Sequence, residues 1–382
     1  MDATTVSAAV RASNDLTARW CDTLRTDTNT VLSGAGLWPL LALLASAADD
    51  AAKSELTAAI GRPAASAQAE AIELLDIIDH ADAASAALAL WLRPGLTLAD
   101  PSWSAALPDG TVETLTGQSQ VDSWVAEHTR GLIKQLPLQL SAEDMLVLAT
   151  ALAVKTRWTK FFEPTRHKAT GSWAGHPDWL TRTTTDLDAV TVLNGENPVT
   201  RVIVAGRDDI DVHLLLGTPD SQPGAILDQG VAALVNAIPT TTAANLPVGA
   251  TGNGFTIRSV DGAKDTLRLT LPPFKIRAAH DLLASAPLFG LKSAADPRAG
   301  QFPTLDKDLF VSAGSQDVIA EFSAEGFEAA AVTTFAMQVA ALLHPPETKS
   351  RRLELTLDRP FAFLAVHRPT GLVLVAGWVA EP

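Results

Sequence analysis

Cysteine is nearly missing from this sequence. Cys21 is the only one in 382 residues, which excludes an internal disulfide and leaves the redox compartment undetermined. Tyrosine is absent, so any aromatic contribution to a core must come from nine Trp and twelve Phe. Positive charge is scarce: 29 Lys plus Arg stand against 43 Asp plus Glu, a formal charge of −14. An acidic surface of that size argues against nucleic acid, and against a heparin-like polyanion, held by general electrostatics. Segment 61–85, where a basic patch would be sought, holds only Arg62 and reads as an exposed acidic helix. No run stays apolar and uncharged long enough to cross a bilayer, and the start Met1-Asp-Ala-Thr-Thr lacks the basic and apolar regions of a signal peptide. No membrane association is expected. The residues leave open whether the protein is cytoplasmic or secreted by a route they do not encode.

Catalytic signatures are missing as well. A nucleophile elbow needs Gly-x-Ser-x-Gly, because its sharp turn tolerates only small neighbours, and none of the 24 glycines supplies it. The eight histidines (80, 128, 167, 176, 213, 280, 344 and 367) form no pair at metal-ligand spacing. Gly249-Ala-Thr-Gly-Asn-Gly254 lacks the Lys-Ser/Thr ending of a phosphate-cradling loop and reads as a turn. No catalytic residue, metal or cofactor is expected, and the chain is not read as an enzyme.

The chain does have a large core to bury, being 47% hydrophobic. About the first 100 residues read as helices, with an Ala- and Leu-rich run over 40–60 that Gly61 and Pro63 stop. Another amphipathic helix is predicted over 121–136, with Val121, Trp124, Val125, Leu132, Ile133 and Leu136 on one side. The almost continuously apolar stretch 145–158 suits a buried strand. From Val199 strands dominate (200–205, 211–217 and 267–276), helix returns over 281–291, and strands 361–367 and 372–379 flank the turn Arg368-Pro-Thr-Gly371. With no repeat or low-complexity linker, residues 1–382 read as one α+β domain.

One segment is chemically odd. Glu325-Gly326-Phe327-Glu328 is followed by Ala329, Ala330, Ala331, Val332, Thr333 and Thr334, small and β-branched residues leading to mixed apolar ones and then Pro345-Pro346. The plain reading is a surface loop. The sharper one is a strand not yet placed, with Ala329, Ala331 and Thr333 on one face by the two-residue period.

This run resembles the hinge of the serpin family, and other segments resemble serpin motifs in family order. Asn29-Thr-Val-Leu-Ser33 looks like the strand entering the shutter helix. Val121-Asp-Ser-Trp-Val125 with Thr129-Arg-Gly-Leu-Ile133 is similar to the helix lying across the central sheet. The run Leu146 to Lys155, with Trp158 and Phe162, resembles the next sheet strand and its breach tryptophan. Leu271-Pro-Pro-Phe-Lys-Ile276, Asp358-Arg-Pro-Phe361 and Gly377-Trp-Val-Ala-Glu-Pro382 resemble later stretches.

The chain is accordingly identified as a bacterial-type serpin. The resemblance implies helices packed on three β-sheets and an exposed reactive-centre loop over about 326–350. Departures are Thr150 and Gln316 at positions usually held by a shutter Asn and His, and Ala324 and Pro273 where many members pair Glu with Lys. Phe327 replaces a small Thr or Ser, and the loop is several residues longer than usual. Asn29, Ser33, Thr150, Trp158 and Gln316 are the implied shutter and breach residues.

The implied mechanism is suicide inhibition of a serine protease. The enzyme cuts the loop and forms an acyl-enzyme, and the loop inserts as a new strand that drags the protease away. About 14 inserted residues at roughly 3.3 Å each move the ester on the order of 45 Å. Counting from Gly326 puts the reactive bond between Ala340 and Ala341; counting back from the prolines gives Leu342 and Leu343. Segment 337–343 lacks Lys and Arg, so elastase-, subtilisin- or chymotrypsin-like targets fit. The alternative is a non-inhibitory carrier, chaperone or storage protein whose loop is only a substrate. The resemblance also implies a monomer, with a risk of loop–sheet polymerisation.

Overall fold

The computed structural model describes residues 7–327 and 348–382, apart from 132, 137, 142, 171, 172 and 299. Ser7 opens helix α1 (Ala8–Cys21), its hydroxyl accepting from the Val10 amide. After strand β1 (Thr30–Leu32), Ser33 caps α2 (Gly34–Ala47) in the same way, accepting from Gly36 at 2.9 Å. α2 is apolar around most of its girth, as a fully enclosed helix must be. α3 (Asp50–Ile60) ends where Gly61 turns left-handed at φ 65°, and α4 (Ala64–Asp79) follows.

The chain continues through β2 (Ala84–Leu92), α5 (Pro101–Ala105), β3 (Val112–Thr114), α6 (Gln118–His128), β4 (Leu146–Val154) and β5 (Thr156–Arg157). Next come β6 (Glu163–Thr165), β7 (Trp179–Thr184), β8 (Val190–Leu193), β9 (Val199–Ala205), β10 (Ile210–Leu216), α7 (Pro223–Leu234) and β11 (Thr240–Thr242). Strands β12 (Thr251–Gly252), β13 (Phe255–Asp261), β14 (Thr266–Leu271) and β15 (Phe274–Asp281) precede α8 (Ala286–Phe289). The last are β16 (Ser315–Phe322), β17 (Gly326–Phe327), β18 (Lys349–Thr356), β19 (Phe361–His367) and β20 (Leu372–Val379).

Three sheets result. The first, β1-β20-β19-β10-β9-β8-β11, is antiparallel throughout, and its strands β19 and β20 are buried at every position. Leu364 points to Gly230 of α7, while Phe363 points the opposite way, its ring 5.0 Å from that of Phe274 in β15. The second sheet, β12-β13-β18-β14-β7-β6, contains one parallel pair, β14 with β18. The third is in two parts, β3-β2-β4 and β15-β16-β17-β5. Only Lys155 separates β4 from β5, so the two parts are halves of one sheet joined at one end. α6 covers the outer face of the first half over a small separate core that includes Trp91, Leu115, Val121 and Val147.

Several elements differ from expectation. Run 40–60 is two helices, because Ala48 and Asp49 turn extended and the Asp49 amide donates to Gln301 O at 2.9 Å. Segment 61–85 is not an exposed helix: Ala67, Ala71, Leu74, Leu75 and Ile78 of α4 are buried, and Ala84 begins a strand. The helix predicted to reach 136 stops at His128. There the Thr129 hydroxyl donates to Val125 O and accepts from the Ile133 amide, while Arg130 and Gly131 take positive φ. Pro272-Pro273 break 267–276 into β14 and β15, and over 281–291 helix is confined to α8 and a single 3-10 turn. Strands precede Val199, and α7 lies among the later ones.

Candidate functional site

The parted sheet is the site. Among the described residues, no strand pairs with the inner edge of β4, and between Gln316 and Glu321 β16 pairs with β15 alone, leaving its edge on the gap free. A cavity of about 450 Å³ lies along the gap, with Leu37, Leu40, Leu41 and Leu44 of α2 in its floor.

β17 occupies the head of the gap. Gly326 opposes Arg157, and Phe327 opposes Thr156 on one side and Phe322 on the other, antiparallel to both. A turn aims it there: the Ser323 amide donates to Gly326 O at 2.9 Å, and the Ser323 hydroxyl accepts from the Gly326 amide at 3.2 Å. A Cβ at 326 would lie 2.3 Å from Thr156 O, so only glycine permits this approach. Phe327 is 2% exposed, its ring 6.0 Å from Phe363. Around it stack Trp158 on Phe322 at 4.7 Å and Phe274 on Phe322 at 5.4 Å. Trp158 also ties the turn down, its indole N–H donating to Ser323 O at 3.0 Å and its amide to Glu325 O at 2.9 Å. The Glu325 carboxylate lies 3.6 Å from Arg157. Beside them Arg182 rests over Phe162 at 4.7 Å; burial, partly opposed by Asp186, pulls its guanidinium down to about 10.

No ion pair joins Ala324 and Pro273. The Phe162 amide donates to Ala324 O at 2.8 Å instead, and the charged pairs lie further along: Lys275 with Glu321 at 2.8 Å and Arg277 with Asp317 at 2.5 Å.

At mid-height the N-terminus of α2 bridges the gap from beneath. The Gln316 carboxamide reads both backbone groups of Ser33, accepting from its amide at 3.0 Å and donating to its carbonyl at 2.8 Å. The Ser33 hydroxyl donates to Leu374 O at 2.6 Å, and Thr150 donates to Gly36 O at 2.5 Å. Each polar group in this buried relay has a partner, which is what the low dielectric demands. His280, opposite Gln316 in the register, places Nε2 2.8 Å from Val31 O.

Ser33, Thr150 and Gln316 are therefore brought together, and Trp158, Glu325, Gly326 and Phe327 meet at the head. Asn29 is not in the relay: it accepts from the Ala380 and Glu381 amides at 2.7 and 2.9 Å, clamping the C-terminal end of the chain. Glu328, Ala329, Ala330, Ala331, Val332, Thr333 and Thr334 lie outside the described residues, as do Ala340, Ala341, Leu342 and Leu343. Sequence reading missed the foot of the gap, where Ser312 donates to Asp144 at 3.0 Å. Burial pushes the Asp144 carboxyl up, yet bonds from Ser141 and Ser312 and the nearby Arg93 charge together hold it below its ordinary value. Among the described residues no cluster of His, Cys, Asp or Glu could hold a metal, and no helix is long and apolar enough to span a membrane.

These features define a mixed α+β protein whose central sheet is parted and already holds the first residues of the segment that follows. Residues 11–174 and 254–382 match the profile of the family described as Serpin (serine protease inhibitor), and the chain belongs to that family. Curated relatives include Serpin-ZXA of Oryza sativa subsp. japonica, 28% identical over 69% of this chain and 63% of its own length. Serine proteinase inhibitor 1 of Myxoma virus is 23% identical over 68% of this chain and 64% of its own. The matches thus span somewhat under two thirds of those relatives. The relatives are plant, viral and mammalian, and lend no support to the bacterial-type subdivision. Among solved structures, thyroxine-binding globulin complexed with thyroxine aligns with TM-score 0.71 at 17% identity, covering 98% of each chain. Native protease nexin-1 with heparin aligns at 0.68 and 19%, also over 98% of each. At such identities the likeness concerns the fold.

Proposed function

We propose that this serpin is a suicide-substrate inhibitor of elastase-, subtilisin- or chymotrypsin-like serine proteases, cut between Ala340 and Ala341 with Leu342–Leu343 as the alternative bond. The observation that carries the reading is β17, seated at the head of a gap whose edges, among the described residues, lack a strand partner along most of their length. Continuing its two registers for six residues sets Thr333 opposite Thr150 on one side and Gln316 on the other. That is the face of Phe327 and of the buried polar relay, so a small hydroxyl suits the position. Residues 329 and 331, both alanine, would lie on the same face. The −14 charge supports an inhibitor that needs no heparin-like polyanion. The bacterial-type assignment and the monomeric state belong to this reading and rest on the sequence resemblance alone.

A second reading is a carrier, chaperone or storage serpin whose loop is only a substrate. Phe327 favours it, because a bulky residue stands where family members carry a small one. Incubation with an elastase-like protease and denaturing electrophoresis separate the two. The inhibitor gives a denaturation-resistant complex and a C-terminal fragment starting between Gln338 and His344. Cleaved protein beside fully active protease, for every protease of these three kinds, leaves the second reading standing.

A further inference from the structure

The gap between β4 and β16 is tied across at three heights. β17 fills its head, and the Thr150–Gly36 and Ser33–Gln316 bonds cross beneath its middle through α2. At the foot the tie is direct, from the Ser312 hydroxyl to Asp144 Oδ1 at 3.0 Å. Asp144 belongs to a braced platform. Its Oδ2 accepts from the Ser141 amide at 2.7 Å and its carbonyl from Arg93 Nε at 2.7 Å, while Arg93 Nη2 donates to Ser141 O at 2.8 Å. Arg93 follows β2, and its amide donates to Met145 O at 2.9 Å, so the platform is fixed to the β2–β4 half. Ser312 lies on the segment that enters β16, three residues before the strand begins. The bond therefore joins the two halves of the parted sheet.

The registers at the head state what would arrive there. Carried without a bulge from the Phe327–Thr156 pair, Val339 falls opposite Asp144; carried from the Phe327–Phe322 pair, Met337 falls opposite Ser312. Both are an even number of residues from Phe327 and so share its face. Up to residue 334 the incoming segment would run between formed strands, since its partners are β16 down to Ser315 and β4 down to Ala149. Beyond that, two apolar side chains would enter the place of a polar bond, within three residues of Ala340.

We propose that the Asp144–Ser312 hydrogen bond is a clasp closing the foot of the gap, which must open for the last residues of the chain's own segment 328–340 to insert. Asp144 and Ser312 are then positioning residues that set how quickly insertion completes after cleavage. The proposal rests on the inhibitor reading.

Full-length Ser312→Ala and Ser312→Thr test it, because the Ser312 hydroxyl makes no other bond among the described residues. In the uncut protein, Ser312→Ala should speed amide exchange along Leu146–Val154 and Ser315–Phe322. After cutting by an elastase-like protease it should complete insertion about three- to tenfold faster by tryptophan fluorescence, as expected for one lost hydrogen bond. Ser312→Thr, which keeps the hydroxyl, should return both readouts to wild type. If cut wild type gains thermal stability but Ser312→Ala inserts at the wild-type rate, the clasp is refuted and the inhibitor reading stands. If cut wild type gains no thermal stability, the inhibitor reading falls and the clasp's role falls with it.

Discussion

The β19–β20 hairpin and the parted sheet are made from similar residues and use them in opposite ways. β19 lies between β20 and β10, with ladders on both edges and every side chain buried. β4 is just as apolar, yet among the described residues it pairs along its length only with β2, and its odd and even positions differ in burial. β19 has strand partners on both edges along nearly its whole length. The parted sheet holds a row of ladder positions in reserve, and its edges face each other rather than bulk solvent or a second molecule. A fold can thus be complete in one place and unfinished in another; on the inhibitor reading, the uncut form is then held by a barrier and not by lowest free energy.

The largest expected effect makes the two regions alike. Cleavage within 337–343 should let the segment fill the gap and raise the thermal midpoint by tens of degrees, since about 1 kcal/mol is worth roughly 2–4 °C in domains of 150–250 residues. Calorimetry of cut and uncut protein decides it, and coincident melting would mean the gap stays unfilled.

Next in size is a variant that blocks the filling. Thr333→Arg would carry an unpaired charge to the buried relay between Thr150 and Gln316, at a cost of several kcal/mol. Covalent complex should give way to plain cleavage, while Thr334→Arg, on the opposite face, should be milder. Equal loss in both would show that the register set at β17 does not persist.

Phe327→Thr acts at the head of the gap. The ring is buried against Phe363, so removing it loosens a residue already seated. More inhibitor should then be consumed per protease inactivated. A marked fall would mean that Phe327 strains the site instead of anchoring it.

The smallest effect is one of pH. Asp144 has its carboxyl held below the ordinary value of 3.8. A depressed folded value means the stabilisation is whole above 3.8 and fades only as pH drops through the lower folded value. Exchange at the foot of the gap should therefore keep the same opening free energy between pH 7 and 5 and gain openings only in stronger acid. A loss already at pH 5 would assign the protection to another group.

How much of this was legible depended on whether local chemistry or distant pairing set the outcome. The hairpin was read to the residue, because Arg368-Pro-Thr-Gly371 can hardly be anything but a turn between two apolar runs. Ser33, Thr150 and Gln316 were named together only through the family resemblance, and they meet at the N-terminus of α2. β2 was missed because Ala-Ser-Ala-Ala-Leu-Ala-Leu-Trp-Leu has helical propensity, which pairing with β4 overrides. The early stop of α6 depends on one Thr129 hydroxyl that bonds within its own loop. Asn29 was placed in the shutter by the family resemblance, whereas its side chain turns to the far end of the chain. The Asp144–Ser312 bond joins residues 168 positions apart and has no local signature at all.

One pairing described above also sets a timetable. β1, near residue 30, finds its only strand partner among the described residues in β20, at Ala376 to Trp378. A ribosome adding about 5–20 residues per second needs on the order of 20–70 s to make the chain between them. Throughout that time the edge of β1 and the Ser33 hydroxyl that will reach Leu374 wait for a mate not yet translated. The joint beneath the gap is thus finished late in synthesis, and a nascent chain truncated before residue 374 would lack both the strand partner of β1 and the carbonyl that takes the Ser33 hydroxyl.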